Sequence, residues 1–166
     1  MSSYSIRRAI RKDASQFVDL LVALADFEHL DPPDDEARRR IIEDIFSKRW
    51  LRMFVAIDQK SKKLAGYALY YYTYSSFLAK RTLYLEDIFV LEKHRRMGIG
   101  WNLFLKCVSE AARRDCGRME WAVLTWNKNA IRFYEKQGAK RLSEWYYYRL
   151  TSDKLKELST ADLPEQ

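Results

Sequence analysis

The 166-residue sequence predicts an α+β fold, an α/β/α sandwich whose mostly antiparallel mixed sheet is flanked by helices on both faces. Three observations lead there. Apolar residues recur with a helical period in some segments and with a strand period in others. The two kinds follow one another as β-α-α-β-β-β-α-β-α-β, which is neither a doubly wound repeat nor an all-β pattern. Apolar residues make up 48% of the chain, enough for one sizeable core, so a single domain over 1–166 is expected.

Each element has its own signal. Residues 5–9 alternate and read as a first strand. Asp13 is a suitable N-cap for a helix that lines up Phe17, Leu20, Leu21 and Leu24. Residues 29–35, with Pro32 and Pro33, form a loop, and 36–46 a second helix carrying Ile41, Ile42, Ile45 and Phe46. Residues 53–57 and 64–74 are strands joined by the polar turn 58–63, a hairpin pattern. Residues 83–90 are a fourth strand. Residues 99–114 keep a helical period through Leu103, Phe104, Cys107, Val108, Ala111 and Ala112. Residues 119–124 read as a fifth strand, and 129–137 as a short helix closed by Gly138. Residues 141–150, rich in Tyr and Trp, read as a last strand, with Ser152 capping a short terminal helix.

The totals exclude several classes. Two cysteines and two histidines offer no disulfide framework and no metal-ligand set, so no metal is expected. No stretch approaches the roughly 18 apolar residues of a membrane span. The first residues are polar, then charged, so neither a leader peptide nor a membrane partner is expected, and a cytoplasmic location is. The net charge of +7 fits an anionic ligand. Lys and Arg are dispersed, so nucleic acid is not the expected partner, although a basic nucleic-acid-binding module stays open as an alternative.

The chemistry concentrates at Arg95-Arg96-Met97-Gly98-Ile99-Gly100, between a strand and an amphipathic helix. Two glycines allow a tight turn and a close approach of backbone to ligand. The helix start beyond them offers unpaired N–H groups and partial positive charge, to which Arg95 and Arg96 add donors. Together they make an anion site suited to a pyrophosphate. A dinucleotide fingerprint would need Gly or Ala where Leu103 stands, and no P-loop signature is present.

Arg95-x-x-Gly98-x-Gly100 resembles the Arg/Gln-x-x-Gly-x-Gly/Ala signature of the GNAT acetyltransferases. Residues 71–74, 83–90 and 127–139 are similar to those of the spermidine/spermine, diamine and thialysine N-acetyltransferases, and the similarity runs from about residue 5 to 142. The resemblance implies a GNAT fold and acetyl-CoA as cosubstrate. Ile88, Phe89 and Val90 would hold its acetyl and pantetheine part through their backbone. Residues Arg95, Arg96, Met97, Gly98, Ile99, Gly100 and Trp101 would hold the pyrophosphate, while Asn127, Ala130 and Tyr134 would touch the cofactor arm. Glu86 would be the catalytic base and Tyr134 the acid. Phe27, Glu28, Glu86 and Glu144 would face a small-molecule amine. Asp87, expected to point away from Glu86 on a regular strand, is read as structural.

The stretch after Gly138 is shorter than in the polyamine enzymes and holds one acidic residue, Glu144. A diamine, a polyamine or a lysine analogue is therefore the expected acceptor. Alternatives are a protein N-terminal or lysine acetyltransferase and a non-catalytic acetyl-CoA sensor. The family's habit of pairing, together with Tyr146, Tyr147 and Tyr148, implies a homodimer.

Overall fold

The computed structural model describes residues 3–160. The chain divides into two compact units, one ending at Ala122 and one beginning at Val123. The first unit contains β1 (Tyr4–Arg8), α1 (Ala14–Glu28), α2 (Asp35–Phe46), β2 (Arg52–Asp58), β3 (Leu64–Ser75), β4 (Lys80–Val90), α3 (Ile99–Arg113) and β5 (Arg118–Glu120). The strands lie in the order β1-β2-β3-β4-β5. The first three pairings are antiparallel and β4–β5 is parallel, with α3 as the crossover that a parallel pair requires. This is the expected mixed sheet.

Alternation sends the two faces of the sheet to different helices. Met53, Val55, Tyr67, Leu69 and Phe89 pack with Phe17 and Leu20 of α1 and Ile45 of α2. Tyr67 meets Phe17 edge-on at 5.1 Å between ring centroids. On the other face Tyr70 stacks on Phe54, and Tyr72 reaches Glu110 of α3. Each fully buried large apolar side chain contributes about 1.5–3 kcal/mol. Gly66 lets β3 run close against the end of β4: a Cβ there would lie 2.5 Å from the Phe89 carbonyl oxygen.

Three local expectations change in the first unit. Asp13 stands at the N-cap of α1 but makes no side-chain capping bond there. Its carboxylate instead accepts both Nη groups of Arg7, at 2.7 and 2.9 Å, and the Ile10 N–H at 2.8 Å, and α1 is entered through a 3-10 turn over Arg11–Asp13. A bidentate guanidinium is the stronger claim on a carboxylate. The fifth strand is Arg118–Glu120, pairing only with Thr82–Tyr84, so 121–124 lie outside the sheet. The third change is a bulge in β4. Leu69 pairs with Asp87 and Tyr70 with Leu85, leaving Glu86 as the extra residue. A bulge bends and twists its strand. This one comes two residues after the last pairing with β5, which accounts for the early end of that ladder.

In the second unit, α4 (Lys128–Lys136) is capped by the Asn127 side chain, which accepts the Ala130 N–H at 3.1 Å. Gly138 follows the helix in the left-handed region at φ +82°, as expected of a closing glycine. The terminal helix α5 is Ser152–Ser159, and Thr151, not Ser152, caps it by accepting the Lys154 N–H. Residues 141–150 form no strand, contrary to expectation, and Trp145, Tyr146, Tyr147 and Tyr148 are 72%, 85%, 79% and 91% exposed. β-propensity is realised only where an edge is available to pair with, and the described residues of this unit contain no strand.

Candidate active site

The turn between β4 and α3 has the geometry of an anion cradle. Arg96 and Gly98 both adopt the left-handed region, at φ +63° and +77°. Left-handed residues interleaved in a turn aim successive N–H groups into one concavity. Gly98 is the N-cap of α3 and makes no side-chain cap, so the first helical N–H groups stay available. Asn102 donates to the Gly98 carbonyl at 3.2 Å and to the Tyr4 hydroxyl at 2.5 Å, pinning the turn to β1. A Cβ at Gly98 would meet nothing closer than the Tyr4 hydroxyl at 3.5 Å, and one at Gly100 would touch Val90 at 3.8 Å. Space for a pyrophosphate's close approach is therefore present. Arg96, Met97 and Trp101 are exposed around it, while Ile99 is buried under the helix start.

Arg95 departs from the expected placing. Its Nε donates to the Val90 carbonyl at 3.0 Å, and its guanidinium lies over the rings of Phe27, at 4.7 Å, and Phe89, at 5.8 Å. It braces the end of β4 against the end of α1.

β4 supplies the second part. Its ladder to β5 stops at Tyr84, so the edge from Leu85 to Val90 carries no sheet partner opposite β3 among the described residues. An open strand edge is a template for an extended ligand with amide groups. Ile88, Phe89 and Val90, expected to hold pantetheine, lie on this edge, with Phe89 buried in the core. Glu86 is exposed at the bulge, immediately before them.

The bulge also corrects the reading of Asp87. On a regular strand Asp87 would face α3 with Leu85 and Leu83. Because Glu86 is extra, Asp87 pairs with Leu69 and joins Phe89 on the α1 side. There Tyr67 Oη donates to Asp87 Oδ2 at 3.3 Å. Burial, then the neighbouring Glu86 and Glu28 charges, push the Asp87 carboxyl up to about 7, although the Tyr67 hydrogen bond opposes the rise. Burial and the same carboxyl hold the Tyr67 hydroxyl well above its ordinary range, so it remains a donor. Glu28, the last residue of α1, is raised by burial. The structure thus sets Glu28 and Glu86 around Asp87, and Arg95, expected at the pyrophosphate turn, over Phe27 and Phe89. It adds Tyr67 and Asp87, whose signal is a register shift that a single strand's sequence does not display.

The remaining expected residues lie in the second unit. Tyr134 is buried, with its ring edge-on to Phe133 at 5.2 Å. Asn127 and Ala130 form the α4 cap described above. Glu144 is exposed and accepts from Ser143 Oγ at 3.3 Å. No group of His, Cys, Asp and Glu suited to a metal occurs among the described residues. No helix of the described residues is long and apolar enough to cross a membrane.

Comparison with known proteins agrees with this fold. Residues 15–139 match the acetyltransferase (GNAT) family. The chain is 31% identical over 169 residues to thialysine N-epsilon-acetyltransferase of Mus musculus, covering 96% of this chain and 99% of that protein. It is 43% identical over 100 residues to L-ornithine N5-acetyltransferase NATA1 of Arabidopsis thaliana, covering 60% of this chain but only 44% of that protein. Among solved structures, the integron cassette protein VCH_CASS6 of V. cholerae aligns with a TM-score of 0.80 at 21% identity, covering 96% of this chain and 99% of that one. AAC(6')-Iy in complex with the bisubstrate analogue CoA-S-monomethyl-acetylneamine aligns with a TM-score of 0.74 at 19% identity, covering 89% and 98%. At these identities the structural likenesses bear on the fold alone.

Proposed function

We propose, from the premise that the chain belongs to the GNAT acetyltransferase family, that it acetylates a primary amine of a small molecule, a lysine analogue, a diamine or a polyamine. The observation that carries this reading is the exposed Glu86 at the β4 bulge, beside an open strand edge that leads to the Arg96–Gly98 cradle. Acetyl-CoA supplies the acyl carbon as an activated thioester. The backbone of Ile88, Phe89 and Val90 holds the pantetheine arm, and the N–H groups at the start of α3 hold the pyrophosphate. Asn127, Ala130 and Tyr134 serve the same cofactor, on the strength of the family resemblance.

An alkyl ammonium has a pKa of about 10.4, so reaching the nucleophilic free amine at pH 7 costs about 4–5 kcal/mol. Glu86 first holds the cation and then takes its proton, directly or through a water. The Tyr134 hydroxyl protonates the departing sulfur. Phe27, Glu28 and Glu144 fit the rest of the amine. The relatives' acceptors, thialysine and ornithine, each carry an amine at the end of a short chain, which favours that substrate class. We place the enzyme in the cytoplasm as a homodimer, for which the exposed Trp145–Tyr148 aromatics provide the surface.

The test is a panel of thialysine, lysine, ornithine, putrescine, spermidine and N-terminal peptides with acetyl-CoA, following release of free thiol. Turnover is expected with a small amine and not with peptides. Glu86→Gln and Tyr134→Phe should each lower kcat about 100-fold. If neither change slows a working reaction, the roles assigned to both residues are wrong.

A further inference from the structure

We propose that Asp87, fixed by the Tyr67 hydroxyl behind the Glu86 bulge, is the group that finally accepts the amine's proton. The inference rests on the acetyl-transfer reading above. It begins from the register. The extra residue at Glu86 turns Asp87 away from α3 and toward the α1 side, where the exposed Glu86 next to it is close enough to act on its charge. Asp87 is there partly buried between Phe89 and Leu69, where an ionised carboxylate is poorly solvated. The titratable groups that act on it are Tyr67 from β3, Glu86 on its own strand and Glu28 from the end of α1, while the guanidinium of Arg95 lies over Phe27 and Phe89. Two adjacent carboxyls in different surroundings divide their duties. The exposed one meets the cation. The buried one, poised near neutral pH, is the better store for a proton, because a base is most effective when its pKa lies near the working pH.

The step balances as follows. An N–H bond of the substrate ammonium breaks, and its electron pair stays on nitrogen. The proton passes to Glu86, directly or through water, and from Glu86 to an Asp87 oxygen. The nitrogen pair forms the bond to the thioester carbonyl carbon, the carbon–sulfur bond breaks with its pair leaving on sulfur, and the second proton, shed by the acylated nitrogen, ends on that sulfur to give the free thiol and the neutral amide. Asp87 returns its proton to solvent before the next turnover. Asp87 acts through Glu86 and is a positioning and proton-holding residue, not a group that touches the substrate.

The test is the pH profile of kcat/KM for the wild type, Asp87→Asn and Tyr67→Phe, with any amine that the wild type acetylates. The wild type should show a rising limb with a midpoint near 7. Asp87→Asn should lose that limb and fall about 100-fold in kcat at pH 7.5. Tyr67→Phe removes a hydrogen bond that lowers the Asp87 pKa, so its limb should move to higher pH. Melting temperatures supply a readout independent of turnover. A carboxyl raised in the folded state stabilises below its unfolded pKa and loses that contribution as pH rises through about 7. Asp87→Asn should therefore melt a few degrees above the wild type at pH 8.5, by less at pH 5.5, and close to it only at about pH 3.5, below the unfolded pKa. A wild-type limb that survives in Asp87→Asn, or a variant equally destabilised at all three pH values, overturns this inference alone. A wild type that acetylates no amine overturns the acetyl-transfer reading and this inference with it.

Discussion

Two residues of the cradle share one conformation and differ in what it costs them. Gly98 adopts φ +77° without a Cβ, whereas Arg96 holds φ +63° with one. A left-handed L-residue costs about 1–2 kcal/mol, and non-glycine residues kept there tend to sit at functional sites. Gly98→Ala should destabilise by about 1 kcal/mol, or roughly 2–4 °C in a domain of this size. The cost is conformational, since the new Cβ has room. Arg96→Gly should stabilise by a similar amount. Both should raise the KM for acetyl-CoA, the first by distorting the N–H cradle and the second by removing a cation beside the phosphates. Thermal melts and acetyl-CoA titrations of the two variants check this. An Arg96→Gly that gains stability with an unchanged KM would show that Arg96 does not bind the cofactor.

At the scale of elements, α3 is tied to the sheet by one buried carboxylate. Glu110, 3% exposed, accepts from Arg8 at 2.8 Å, Arg113 at 2.6 Å, Arg114 at 3.2 Å and Tyr72 at 3.1 Å. Burial alone would raise its pKa. The hydrogen bonds from Arg113, Arg8 and Arg114 outweigh burial and bring it down to about 2. A depressed carboxyl contributes stability that is full above its unfolded pKa of about 4.5 and fades as pH falls toward 2. Glu110→Gln should cost about 2 kcal/mol at pH 7, and its melting deficit against the wild type should narrow between pH 5 and 3. A deficit that stays constant over that range would place its origin in packing. The same elements show what a sequence can and cannot display. The period of α3, the glycine turn at Gly98 and the closing Gly138 were legible because each depends on residues within a few positions. The Glu86 bulge was not, because it exists only in the register between β3 and β4. The Asp13 carboxylate was read as a cap because its competitor, Arg7, lies on the preceding strand. The 141–150 segment has strand composition, but composition does not provide an edge to pair with.

At the scale of the whole molecule, that segment and the net charge are the features a monomer leaves unused. The charge of +7 favours approach of a polyanionic cofactor. The aromatics favour self-association. Trp145, Tyr146, Tyr147 and Tyr148 are all more than two-thirds exposed, and such side chains bury about 150–250 Å² each when covered. Four of them amount to roughly 600–1,000 Å² per copy, which matches the ~800 Å² that each partner contributes to an interface of standard size. Isolated exposed apolar residues need no explanation, but a run of four is the composition of an interface core. Sedimentation equilibrium should therefore give twice the 19.9 kDa chain mass at micromolar concentration. Tyr146→Ser combined with Tyr148→Ser should move the population to the monomer. Because these residues lie outside the first unit's core, the melting transition of that core should stay within about 2 °C of the wild-type monomer. A wild type that sediments at 19.9 kDa at every concentration would remove the homodimer from the proposed function and leave the acetyl-transfer chemistry to be judged by turnover alone.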